Sequence, residues 1–123
     1  MHKNTNTRDP RSLSPVGIAL ALTLAAQSAH SLDAAAQPLA ADLARRNGCM
    51  ACHGLVHKQV GPGFAQVADR YRNDGNAPTR LAAKIRSGSV GTWGRVIMPR
   101  QAQVSESEAQ TLAQWVLSQP SGR

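Results

Sequence analysis

Cys49-Met50-Ala51-Cys52-His53 reads C-x-x-C-H, and the reading of these five residues decides the fold. Two thiols three positions apart, with an imidazole directly after the second, can serve one flat ligand together. The cysteines can form thioethers to the vinyl groups of a haem, with the histidine ring held to meet its iron. A redox dithiol and half of a zinc site are the competing readings of C-x-x-C. Both lack support, because the chain has no second cysteine pair and no strand-turn-helix pattern surrounds the motif.

An iron that changes oxidation state with little rearrangement has both axial positions filled, and a thioether in the second position favours the reduced ion. Outside the N-terminal region, Met50, His57 and Met98 are the candidates. Met50 lies inside the C-x-x-C loop and cannot reach the far face. His57 follows His53 by four residues and would emerge on the same side, so it is expected to face solvent, as is His30. Met98 remains, in an extended Ile97-Met98-Pro99 segment that Pro99 stiffens.

The rest of the chain after Gln37 is patterned for helices. Leu39, Leu43 and Ala44 predict a short amphipathic helix over Pro38 to Asn47, ending before Gly48. Gly48 has two readings, a C-cap glycine or a site of close helix crossing. Gly61-Pro62-Gly63 breaks the chain, after which Phe64, Val67, Ala68 and Tyr71 recur at helical spacing. Pro78 suits the first turn of a third helix carrying Leu81, Ala82 and Ile85, followed by a glycine-rich loop from Gly88. Ser105-Glu106-Ser107-Glu108 is a capping box. Behind it Ala109, Leu112, Ala113, Val116 and Leu117 form one apolar stripe, expected to pack on the first helix. Trp115 is expected to pack between these terminal helices.

The chain has 123 residues, and only Phe64, Tyr71, Trp93 and Trp115 are aromatic. One small domain of this kind buries little by itself, so a large macrocycle would supply missing apolar bulk. Lys3, Arg8 and Arg11 precede an apolar run from Val16 to Ala26, and Ala34-Ala35-Ala36 forms an A-x-A cleavage pattern, with Ala29-His30-Ser31 as a second candidate. The run falls short of the roughly 20 residues that span a bilayer. Residues 1–36 are therefore expected to be a cleaved secretory signal peptide and 37–123 the mature domain. From Gln37 onward eleven Lys and Arg stand against five Asp and Glu, a net charge of +6. Such a surface steers association with acidic partners. Nucleic acid is the competing partner, disfavoured by the scattering of the arginines and by the export signal.

Several stretches together carry a resemblance. Arg46-Asn47-Gly48-Cys49-Met50-Ala51-Cys52-His53, Val60-Gly61-Pro62, Gly88-Ser89-Val90-Gly91-Thr92-Trp93-Gly94, Met98-Pro99 and Glu108-Ala109-Gln110-Thr111-Leu112-Ala113-Gln114-Trp115-Val116-Leu117-Ser118 resemble the small bacterial class I cytochromes c of the c-551/c-552 type. The likeness implies an all-α cytochrome c fold, four to five short helices wrapped around one covalently bound haem c. It implies that Cys49 and Cys52 hold the haem and that His53 and Met98 are axial ligands. The Pro62 carbonyl would accept a hydrogen bond from His53, and Trp93 would donate its indole N–H to a haem propionate near Lys84.

The function so implied is that of a monomeric periplasmic electron carrier, not an enzyme, its iron cycling between Fe(II) and Fe(III). It would pass single electrons from a respiratory or photosynthetic donor complex to a terminal reductase or oxidase. Its partners would be redox proteins with acidic docking patches, and it would meet the membrane only through membrane-bound complexes. Two other classes fit the motif: an open-site haem protein, peroxidase-like or gas-binding, and a haem subunit of a periplasmic dehydrogenase. The sequence also departs from the family. Ile97 and Arg100 stand where prolines flank the methionine, and Gln101 where an asparagine follows. A less rigid ligand loop and a mixture of methionine orientations are expected, with Arg95 and Arg100 beside the loop to dock an acidic partner.

Overall fold

Local signals and helix boundaries agree along most of the chain in the computed structural model, which describes residues 36–122. Residues 1–35 of the expected signal peptide lie outside the described residues, and residue 36 opens the first helix. The first helix, α1, covers 36–46, and Pro38 sits in its first turns, where a missing N–H costs nothing. Its buried face is Ala40, Leu43 and Ala44, while Leu39 is 70% exposed. This corrects the expected stripe, which included Leu39. The core begins one residue later, at a true i, i+3, i+4 spacing.

Gly48 ends the helix in the left-handed region at φ 72°, and its N–H donates to the Arg45 carbonyl at 3.0 Å. A Cβ built there would meet nothing within 4 Å. Of the two readings, Gly48 is thus the cap and not a close helix crossing.

The second helix, α2, spans Phe64–Tyr71 and the third, α3, spans Ala77–Ser87 with Pro78 in its first turn. The glycine-rich stretch after α3 is an antiparallel hairpin where a loop was expected. Strand β1 is Ser89–Gly91 and strand β2 is Gly94–Met98, paired Ser89 to Met98 and Gly91 to Gly94, with an irregularity between Ser89 and Gly91. Thr92 and Trp93 form its tip.

The last helix, α4, spans Glu106–Leu117 and packs against both α2 and α3. It buries Ala109, Leu112, Ala113, Trp115 and Val116, whereas Leu117 is half-buried. The Ser118 hydroxyl donates to the Gln37 side chain at 3.2 Å, joining the end of α4 to the start of α1. Six of the fifteen residues in the core cluster are alanines. Alanine encloses little apolar volume, so these positions add little to the burial that stabilises the fold.

The capping box has its expected form. The Ser105 hydroxyl accepts from the Glu108 N–H at 3.3 Å, and the Glu108 carboxylate accepts from the Ser105 N–H at 2.8 Å. Hydrogen bonds from the Ser105 backbone and hydroxyl hold the Glu108 carboxyl below its ordinary range. Its contribution is therefore present above the ordinary carboxylate range and is lost as pH falls through the lowered folded value. Ser105→Ala is expected to cost about 1 kcal/mol at neutral pH. The difference from wild type should shrink as pH falls below the ordinary carboxylate range, read from urea midpoints across a pH series.

Candidate functional site

Cys49–Ala51 forms a 3₁₀ turn, with the Cys52 and His53 N–H groups both donating to the Cys49 carbonyl at 3.2 and 3.0 Å. Side chains three apart eclipse in this geometry, so the two thiols share one side of the turn. Burial pushes the Cys49 thiol up from its ordinary value. Met50, between the cysteines, is turned to the helical core and half-buried there.

After His53 the chain makes a closed loop and returns. The Gly61 N–H donates to the Cys52 carbonyl at 2.8 Å, Phe64 to Gly54 at 2.9 Å and Ala65 to Leu55 at 2.8 Å. This brings the Pro62 carbonyl to 2.7 Å from His53 Nδ1. A carbonyl only accepts, so Nδ1 carries the proton and Nε2 is left as the ring's lone-pair donor. His57, on the same loop, is exposed, as expected.

The imidazole is enclosed on its other sides as well. A Cβ on Gly61 would lie 2.7 Å from His53 Cε1 and 3.1 Å from each ring nitrogen, so only glycine leaves room for the ring. Phe64 stacks on His53 with centroids 5.1 Å apart and planes 13° from parallel, and Trp115 meets Phe64 edge-on at 5.1 Å. Reading from sequence alone had Gly61 as a chain break and Phe64 as core. Nothing local marks either as a support for the ring, since both contacts close only when the loop does.

Met98 ends β2, paired with Ser89. A Cβ on Gly88 would lie 2.7 Å from the Met98 carbonyl and 2.9 Å from the Arg100 nitrogen, and Gly88 itself has φ 78°. The Gln101 N–H donates to the Ile85 carbonyl at 3.1 Å. The segment, with Pro99 but no proline at 97 or 100, is thus tied by its backbone to β1 and to the end of α3. The Gln101 amide donates to the Pro99 carbonyl at 3.0 Å and accepts from Gln103 at 2.9 Å, which directs it to the chain and not to the Met98 sulfur.

Cys49, Cys52, His53, Pro62, Trp93 and Met98 all line one groove. Val60, Val90 and Ile97 line it too, with 51%, 65% and 68% of their surface exposed. A run of open aliphatic surface around an imidazole and a thioether suits a large, flat, apolar ligand. Lys84 also lines the groove, its ammonium donating to the Thr92 hydroxyl at 2.9 Å. Among the described residues no group of three or more His, Cys, Asp or Glu could hold a metal ion, so the zinc reading of C-x-x-C has no partners.

The sequence matches the family profile described as Cytochrome c over residues 39–120. This chain belongs to the cytochrome c family. It is 45% identical over 78 residues to cytochrome c-552 of Nitrosomonas europaea, covering 63% of this chain and 76% of that protein. It is 51% identical over 76 residues to cytochrome c-552 of Hydrogenobacter thermophilus, covering 62% and 76%. The crystal structure of wild-type Nitrosomonas europaea cytochrome c552 superposes with a TM-score of 0.63 at 44% identity, covering 64% of this chain and 98% of that one.

The chain is accordingly a small class I monohaem cytochrome c, an electron carrier rather than an enzyme, with one haem c bound through two thioethers. The groove fits that group. The two thiols on one side of a turn, the lone-pair nitrogen of His53 and the aliphatic rim are what a covalently held macrocycle needs. Gly61→Ala is expected to displace the His53 ring and destabilise the protein by about 1–3 kcal/mol, as overpacking does. Chemical denaturation measures the loss, and a changed haem absorption spectrum reports the displaced ring.

Proposed function

We propose that the chain is exported, that residues 1–36 are removed as a signal peptide, and that residues 37–123 act in the periplasm as a soluble one-electron carrier. In this reading Cys49 and Cys52 form the thioethers, His53 Nε2 and the Met98 sulfur are the axial ligands, and the Trp93 indole N–H and Lys84 face the haem acid groups. The observation that carries it is the single groove shared by both cysteines, His53 and Met98. Bound there, haem supplies an iron that alternates between Fe(II) and Fe(III).

The chain's own residues do the rest. The Pro62 carbonyl holds the His53 proton on Nδ1 at 2.7 Å and so keeps Nε2 directed to one task. The strand pairing of Met98 with Ser89 and the close fit of Gly88 hold the backbone that carries the thioether. Aliphatic side chains along the groove exclude water, which favours the less charged ferrous state. Among the described residues no helix is long and apolar enough to cross a membrane.

Redox partners of a basic carrier are expected to present acidic patches, reached by steering. Arg95 and Arg100 are exposed on either side of Met98, with no acidic partner in an ion pair among the described residues. In this reading they meet such a patch. The electrons would come from a respiratory or photosynthetic donor complex and leave to a terminal reductase or oxidase.

Met98→Ala tests the ligand set. The wild-type protein is expected to be low-spin with a long-wavelength thioether-to-iron band, and the variant to lose that band and become high-spin. A wild-type iron that is already high-spin and binds added ligands readily would favour the open-site class instead. For the surface, Arg95→Glu with Arg100→Glu is expected to slow oxidation by the anion ferricyanide about tenfold at low salt. The difference should close at high salt, read by stopped-flow absorbance.

A further inference from the structure

The tip of the β1–β2 hairpin is held from two helices by two cations. Lys84 on α3 donates to the Thr92 hydroxyl at 2.9 Å, and Arg70 in the last turn of α2 lies with its guanidinium carbon 4.7 Å from the centroid of the Trp93 ring. A cation this close to an indole face is attracted by the ring's quadrupole. Trp93 is half-buried and lines the groove, while Arg70 is exposed and lies outside the groove lining. The guanidinium therefore acts on the groove only through the indole. Stacking leaves the ring edge free, and that edge carries the single polar atom of Trp93, its N–H donor.

We propose that Arg70 is a positioning residue of the haem site. It clamps the Trp93 indole from the solvent side, fixes the direction of its N–H into the groove, and adds a second positive charge beside Lys84 at the end where the haem acid groups would lie. The arrangement also joins α2 to the strand that ends in Met98, because Trp93 precedes β2 directly. A guanidinium suits this role better than an ammonium, since its flat face stacks on the ring while its N–H groups stay hydrated. The inference rests on the reading of Trp93 as a haem-facing donor.

The test uses the purified holoprotein and its Arg70→Leu and Arg70→Lys variants, with Arg72→Leu as a surface control. Proton exchange of the two indole N–H groups is followed by NMR, and reduction potentials are measured by redox titration. Arg70→Leu is expected to speed Trp93 indole exchange about two- to fivefold, the factor that an exposed cation–π contact is worth, and to lower the potential. Trp115 exchange should stay unchanged, Arg70→Lys should recover part of both effects, and Arg72→Leu should produce neither. Unchanged Trp93 exchange in Arg70→Leu overturns the proposal, and so does equal acceleration of Trp93 and Trp115, which would mean general loosening. Failure of the underlying reading is distinguishable: Trp93 exchange would then respond to Arg70 while being the same in the oxidised and reduced protein and uncoupled from the potential.

Discussion

The hydrogen bond between His53 Nδ1 and the Pro62 carbonyl, 2.7 Å long, is the constraint on which the site depends. It assigns the proton to one ring nitrogen and leaves the other with its lone pair unused, which no property of the C-x-x-C-H sequence could do alone. To form it, the chain must return over nine residues to within hydrogen-bond reach. Backbone bonds from Gly61, Phe64 and Ala65 to Cys52, Gly54 and Leu55 close that loop. The absence of a side chain at Gly61 leaves space for the ring. Phe64, opening α2, then stacks on the imidazole and passes the contact to Trp115 in the core. The imidazole is thus built into the helical frame, not appended to it.

That frame is economical. Alanines supply six of the fifteen residues of the helical core, which leaves fewer large side chains to fill its centre. The groove is where the missing apolar volume belongs. Val60, Val90 and Ile97 stand open along it, an arrangement that costs solvation unless a large apolar group covers them. Cofactor and core are in this sense one object, and covalent attachment through the two cysteines keeps the group in place in both oxidation states.

The second half of the site is held differently. Met98 lies on a short strand, and its segment keeps Pro99 but has Ile97 and Arg100 where the family has further prolines. Conformational restriction that proline rings would impose from within the chain comes here from outside it: the pairing with Ser89, the fit against Gly88 and the bond from Gln101 to Ile85. The exchange frees two positions beside the groove for other residues, and one of them carries an arginine. The expectation of a looser loop drew on the two missing prolines, and these backbone contacts bear on the same residues.

Local chemistry was enough for much of this protein. C-x-x-C-H named the cofactor, the capping box at Ser105 and Glu108 started α4, Pro78 started α3, and elimination pointed to Met98, because each signal is complete within a few residues or follows from chain reach. The resemblance supplied Pro62 and Trp93. What the sequence left open were matters of approach between distant segments: that Gly48 caps and does not cross, that Leu39 lies outside the core, that residues 89–98 form a hairpin, that Gly61 and Phe64 enclose the imidazole, and that Arg70 covers Trp93. A glycine reads alike whether it serves a turn or a close contact, and an arginine reads alike whether it faces water or a ring. Only the packing of α2, the hairpin and the loop after His53 against one another distinguishes them, since burial and contact are properties of the assembled chain and not of its letters.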